Sequence, residues 1–215
     1  AYAVCDEAYE HITFDGYRHI PLMTFPGMRE RAIRIGSAGK TFSMTGWKVG
    51  YVTAAAGLVA PISKAHQFLV FTTAPNLQHA VAFGLSQDDT YFRSLAVDLQ
   101  AKRDRLAAGL TRIGFNVLPS QGTYFLNAGF AGLPLDGDDT TVCETLIREA
   151  HVATIPVSAF VQEGNMSGWL RFCFAKEDSV LDEAVARLAV YFGIDEVTGK
   201  SGDGDSTLLL TAAVD

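Results

Sequence analysis

The chain has 215 residues, room for one to two domains. Hydrophobic residues make up 48% and charged residues 19%, an ordinary globular balance, and a formal charge of −7 argues against binding to the phosphate backbone of nucleic acids. Three cysteines (Cys5, Cys143, Cys173) are too scattered for a disulfide framework or a zinc site, and the apolar stretch Thr53 to Ile62 is broken by Gly57 and Pro61 short of a membrane span.

Taken in chain order, Ala3 to Cys5 reads as a short buried strand ending at Asp6. A chain that opens in a strand, with no initiating Met, is expected to be part of a longer polypeptide. Asp6, Glu7 and Glu10 stand where a signal peptide needs an apolar run, so a reduced, cytoplasmic protein is expected. Ala32 to Ile35 and Val49 to Ala54 read as two further strands. A helix from about Pro61 to Val70 carries Leu58, Ile62, Ala65 and Leu69 at helical spacing, and Pro75 opens the next helix, to about Leu85. A longer helix stripes Leu95, Leu99, Leu106, Leu110 and Ile113, with Gly114 as its left-handed cap. Phe115–Leu118 and Thr123–Ala128 form an expected strand pair. Val142 to Ala150 is helical, with Glu144 and Arg148 spaced for an ion pair. Val152–Ile155 and Trp169–Phe174 are strands, and Leu181, Ala184, Val185, Leu188, Tyr191 and Phe192 stripe the last helix. The pattern predicts an α/β fold: residues 1–90 as part of a doubly wound, mainly parallel sheet, residues 91–192 as a smaller α+β domain, and 193–215 as a flexible tail.

The segment Gly36-Ser37-Ala38-Gly39-Lys40-Thr41 leaves a strand and carries one lysine between permissive residues. Gly-Lys-Thr suggests the tail of a phosphate-binding loop, but that motif needs four residues between its glycines and only Ser37 and Ala38 intervene here. The alternative is covalent catalysis: a lysine at a strand end in a partly desolvated pocket favours Schiff-base formation with an aldehyde. In an open α/β sheet the carboxyl ends of strands converge, which would bring Asp6, Tyr9, Ser37 and Lys48 to Lys40. Each group suits one part of pyridoxal 5'-phosphate. Lys40 takes the aldehyde, a buried carboxylate at Asp6 keeps the ring nitrogen protonated, Tyr9 meets the ring hydroxyl, and Ser37 and Lys48 meet the phosphate. Taken singly, Asp6 also reads as a helix cap, Tyr9 as core packing and Lys48 as a solvated side chain.

Together, Asp6-Glu7-Ala8-Tyr9-Glu10 and the run from Gly36 to Tyr51 resemble the fold-type I pyridoxal-phosphate aminotransferases of class I/II. The likeness is greatest to the branch of kynurenine aminotransferases (cysteine-conjugate β-lyases) and methionine aminotransferases. It extends over about residues 1–192 and includes the segments at 119–125, 152–158 and 170–176. It implies Lys40 as the covalent cofactor lysine, Asp6 at the pyridine nitrogen, Tyr9 at the ring hydroxyl, and Ser37 and Lys48 at the phosphate. It also implies a homodimer, amino acid and 2-oxo acid substrates, and β-elimination as a side activity. Arg171 is a lone arginine in an apolar strand and needs an anionic partner. A structural carboxylate would serve; in the family this arginine forks onto the substrate α-carboxylate. The family's ring-stacking aromatic and further phosphate donors would precede Ala1. A competing expectation is therefore a non-catalytic remnant that holds no cofactor. The histidines share no metal-like spacing, and Phe71 reads either as core or as reaching a substrate pocket across a dimer interface.

Overall fold

The computed structural model describes residues 1–162 and 166–194, with the backbone of 209–210. The tail expected at 193–215 lies, apart from Gly193, Ile194 and Leu209–Leu210, outside the described residues. Two compact units divide the chain, Ala1–Val97 and Asp98–Val214.

In the first unit β1 (Ala3–Asp6) pairs in parallel with β2 (Ala32–Ser37), and β2 pairs antiparallel with β3 (Gly50–Thr53). Strand β2 is therefore central, and its carboxyl end runs straight into the single turn α1 (Ala38–Thr41). Strand β1 is not buried as expected: Val4 is 66% exposed, and Tyr2 just before it 71%. Composition reports strand preference, whereas burial depends on what lies across the sheet, and β1 is an edge strand. Helices α2 (Ala56–Leu69) and α3 (Pro75–Leu85) follow, then the start of α4 (Asp89–Ile113). Helix α2 begins a turn earlier than expected and takes Pro61 into its interior, where the ring deletes one backbone hydrogen bond. No residue of α2 is buried among the described residues. Its helical apolar spacing defines a face without saying what covers it. A small core of Ala38, Val49 and Val81, flanked by Phe42, Met44 and Leu77, sits beneath α1 and seats it.

The second unit contains β4 (Asn116–Val117), β5 (Phe125–Gly129), α5 (Asp139–Thr145, continued by a π-helical turn to Ala150), β6 (Val152–Ala153), β7 (Ile155–Pro156), β8 (Trp169–Cys173) and α6 (Asp178–Tyr191). Strands run in the order β4-β5-β8-β7, all antiparallel, so the single strand expected at Val152–Ile155 is two short ones. Period-two alternation puts Leu126, Ala128, Leu170 and Phe172 on the buried face, and Leu106 and Leu110 of α4 and Leu181 and Leu188 of α6 are buried as well. Cys173, which the alternation would put on the opposite face, is also buried, at 2% exposure. Asp138 caps α5, accepting from Thr141 N at 2.9 Å and Thr141 Oγ1 at 2.7 Å, and these donors hold its carboxyl below the usual range. The cap is therefore fully formed above the ordinary carboxylate range and is lost as pH falls through the lowered value.

Helices α4 and α6 meet at Gly109, where an added Cβ would stand 2.6 Å from Val185 Cγ2. Valine is stiff about χ1 and cannot swing away cheaply. Gly109→Val is expected to lower stability by about 1–3 kcal/mol through overpacking. A lower urea midpoint at unchanged slope is the expected readout; an unchanged midpoint would show that α6 yields freely.

Candidate active site

The site grows out of the carboxyl end of β2. Gly36 is required by close approach rather than by a special φ: a Cβ there would lie 2.2 Å from Cε2 of Tyr51, whose ring crosses this position. Gly39 is similar, since its Cβ would lie 2.9 Å from Thr45 Cα. The glycine lets the 3-10 turn Thr45–Trp47 close onto α1, and the turn ends at Lys48 in a left-handed conformation, φ 53°. Lys40 and Lys48, eight residues apart in sequence, thus reach one cavity.

That cavity, of about 360 Å³, is lined by Asp6, Ser37, Lys40 and Lys48 together with backbone of Gly36 and Gly39. Tyr9 is not a lining residue, but its ring centroid is 5.7 Å from Lys40 Nζ. The Ser37 hydroxyl does not cap α1. Asp6, expected buried, is exposed at the end of the edge strand. Its Oδ1 accepts from Ala8 N at 3.1 Å, so the side chain also shapes the turn that follows β1. An amine, a carboxylate, a hydroxyl and a second amine around one cavity, with a phenol beside the first amine, fit the parts of pyridoxal phosphate.

Behind this cavity lies an ionic cluster that sequence reasoning missed. Glu7 is 8% exposed, with Arg34 Nε at 3.1 Å, His19 Nε2 at 2.9 Å and the Leu22 N–H at 3.4 Å from its carboxylate. Arg34 also pairs with Glu10, and Tyr51 Oη donates to Glu10 Oε1 at 2.7 Å. Burial pushes the Tyr51 phenol up, opposed by Arg34. These contacts tie the segment carrying Asp6 and Tyr9 to β2 and β3. The signal was present: Arg34, like Arg171, is a lone arginine in an apolar strand and demanded an anion.

In the second unit Arg171 lies on the half-buried face of β8, opposite Asn127 of β5 and Ile155 of β7. Its guanidinium carbon is 4.1 Å from the ring centroid of Phe125 and 4.1 Å from that of Phe160. Among the described residues no carboxylate forms an ion pair with it, and its buried Nε has no hydrogen-bond partner. The structural-carboxylate reading thus finds no partner among the described residues. Neither flanking phenylalanine was singled out from sequence, because Phe160 reaches Arg171 from a separate turn.

The chain matches the family model "Aminotransferase class I and II" over residues 1–188. It is 39% identical over 201 residues to the kynurenine–oxoglutarate transaminase of Dictyostelium discoideum, covering 84% of this chain and 46% of that protein. It is 38% identical over 187 residues to the methionine aminotransferase of Escherichia coli K12, covering 87% and 48%. The solved N-succinyldiaminopimelate aminotransferase of Mycobacterium tuberculosis superposes with a TM-score of 0.84 at 46% identity, covering 88% of this chain and 50% of that one. The chain spans about half the length of the curated relatives it matches. None of these findings favours the phosphate-binding-loop or non-catalytic readings. Motif, sheet and sequence likeness agree, and the chain belongs to the class I and II aminotransferases, the fold-type I enzymes whose cofactor is pyridoxal 5'-phosphate.

Proposed function

We propose that the protein transfers an amino group from an amino acid, aromatic, sulfur-containing or similar, to a 2-oxo acid. The observation that carries this reading is the cavity shared by Lys40, Asp6, Ser37 and Lys48 in a chain of this family. When bound, pyridoxal phosphate supplies an aldehyde carbon that accepts the amino group and a protonated ring that stabilises charge at the substrate Cα. Lys40 Nζ would hold the aldehyde, and as a free amine it would move the Cα proton as general base and acid. Asp6 would keep the ring nitrogen protonated, Tyr9 would meet the ring hydroxyl, and Ser37 and Lys48 would bind the phosphate. Arg171 receives the substrate α-carboxylate. β-Elimination from substrates with a good leaving group follows from the same proton removal. Borohydride reduction of the full-length protein loaded with pyridoxal phosphate, followed by peptide mapping, should place the label on Lys40; a label confined to Lys48 would overturn the assignment.

Arg171→Lys keeps the charge and loses the planar fork. The KM for the amino acid is expected to rise more than about tenfold, within the roughly 1.5–3 kcal/mol of a charge-assisted hydrogen bond. Reaction with a simple amine lacking a carboxylate should change far less. Equal losses for both substrates would make Arg171 structural.

A homodimer is part of the proposal. The consecutive side chains Phe68, Leu69, Val70 and Phe71 are 88%, 82%, 62% and 76% exposed, an apolar run of the kind that marks an association surface. A cytoplasmic setting is proposed as well, in keeping with three free cysteines and with no helix among the described residues long and apolar enough to cross a membrane.

A further inference from the structure

The environment of Arg171 holds more than the arginine itself. Phe125, near the start of β5, covers one part of its guanidinium from within the sheet, because residues 125, 127, 169 and 171 share the half-buried face. Phe160 arrives differently. It ends the 3-10 turn Val157–Phe160, is 58% exposed, and lies at the same 4.1 Å from the guanidinium. Whether that ring can reach Arg171 depends on where the backbone of its turn is held. Asp139, in the first turn of α5 and only 1% exposed, does the holding: its Oδ2 accepts from Ser158 N at 2.7 Å and its Oδ1 from Ser158 Oγ at 2.8 Å. A nearly fully buried carboxylate is costly and persists only when its lone pairs are satisfied, so this clamp is a built feature.

Resting on the reading that Arg171 receives the substrate carboxylate, we propose that Phe160, seated by the Asp139–Ser158 clamp, is a positioning residue for that carboxylate. Two rings at 4.1 Å from the guanidinium carbon restrict the directions in which its N–H groups can reach an anion. A planar carboxylate meets those groups through two parallel hydrogen bonds, while an arginine free to turn would meet it through one. The rings also lower the rotamer freedom that binding would otherwise have to remove. The clamp thereby couples the first turn of α5, outside the sheet, to substrate affinity.

The test compares variants of the full-length holoenzyme with an amino acid and with a carboxylate-free amine. Phe160→Ala should raise the amino-acid KM about tenfold, the scale of a partly desolvated cation–π contact. Its kcat should change little, and the amine should react unchanged. Phe160→Tyr, which keeps the ring, should restore KM, whereas Phe160→Leu should not. Ser158→Ala removes one donor to Asp139 without creating a buried charge, and it should show the same KM signature at smaller size. A cofactor-independent reading comes from NMR: the Arg171 side-chain resonances should lose part of an upfield ring-current shift in Phe160→Leu. An unchanged KM in Phe160→Ala, or equal losses for amino acid and amine, would overturn the proposal. If Arg171→Lys discriminates between the two substrates while Phe160→Ala does not, only this inference fails. If Arg171→Lys does not discriminate, the underlying reading fails and takes this inference with it.

Discussion

Lys40→Ala is expected to abolish amino transfer while Lys48→Ala only weakens the cofactor's hold. Both amines line the same cavity, so exposure to it does not separate their roles; their backbone settings do. Lys40 sits in α1, rooted in the buried trio Ala38, Gly39 and Thr41, and its amine lies 5.7 Å from the Tyr9 ring centroid. Lys48 is exposed at the end of a 3-10 turn. Removing Lys40 would delete the group proposed to move the Cα proton, a loss of about 10²–10⁴ in rate from that role alone. Removing Lys48 would delete one proposed charge-assisted phosphate contact, roughly 1.5–3 kcal/mol of cofactor affinity. Single-turnover kinetics at saturating cofactor should therefore fall steeply for Lys40→Ala and nearly recover for Lys48→Ala. A reversal of that order would exchange the two assignments.

Asp6→Asn should slow Cα proton removal by about 10²–10³, the scale seen when one preorganised electrostatic partner of a developing charge is lost. The substitution separates the turn contact of Asp6 from its proposed role at the ring nitrogen. Asn keeps an oxygen to accept from Ala8 N, so the turn after β1 should persist, but it cannot hold a proton on the ring nitrogen. Circular dichroism and cofactor stoichiometry should match the parent protein. A normal rate with an amino acid deuterated at Cα would reduce Asp6 to a turn former.

The ionic cluster behind the cavity shows why residue types alone were an incomplete guide. Asp6 and Tyr9 could be proposed as cofactor ligands from sequence because they stand at and just after the end of a strand, where side chains of different strands converge. Glu7 and Glu10 occupy the same five-residue segment, yet their partner Arg34 lies on β2 and Tyr51 on β3. Parallel pairing places Cys5 opposite Arg34, and antiparallel pairing places Gly36 opposite Tyr51; neither register is written in the local sequence. For the same reason Gly36 read as loop flexibility when its role is to leave room for the Tyr51 ring.

Short-range features carried the α/β class, the helix spans of α3 and α6, and the lysine segment, because propensity, capping and periodicity act over a few residues. Arg171 also announced from sequence that it needed an anion, and Arg34 carried the same signal unread. Which anion each one meets was a tertiary matter. Arg34 found Glu7 and Glu10 across the first sheet, while Arg171 found aromatic rings and no described carboxylate. The exposed apolar faces of β1 and α2 make the same point from the other side. A pattern of apolar residues specifies a face to be covered, and the covering surface comes from elsewhere in the chain or from another molecule, beyond the reach of local spacing.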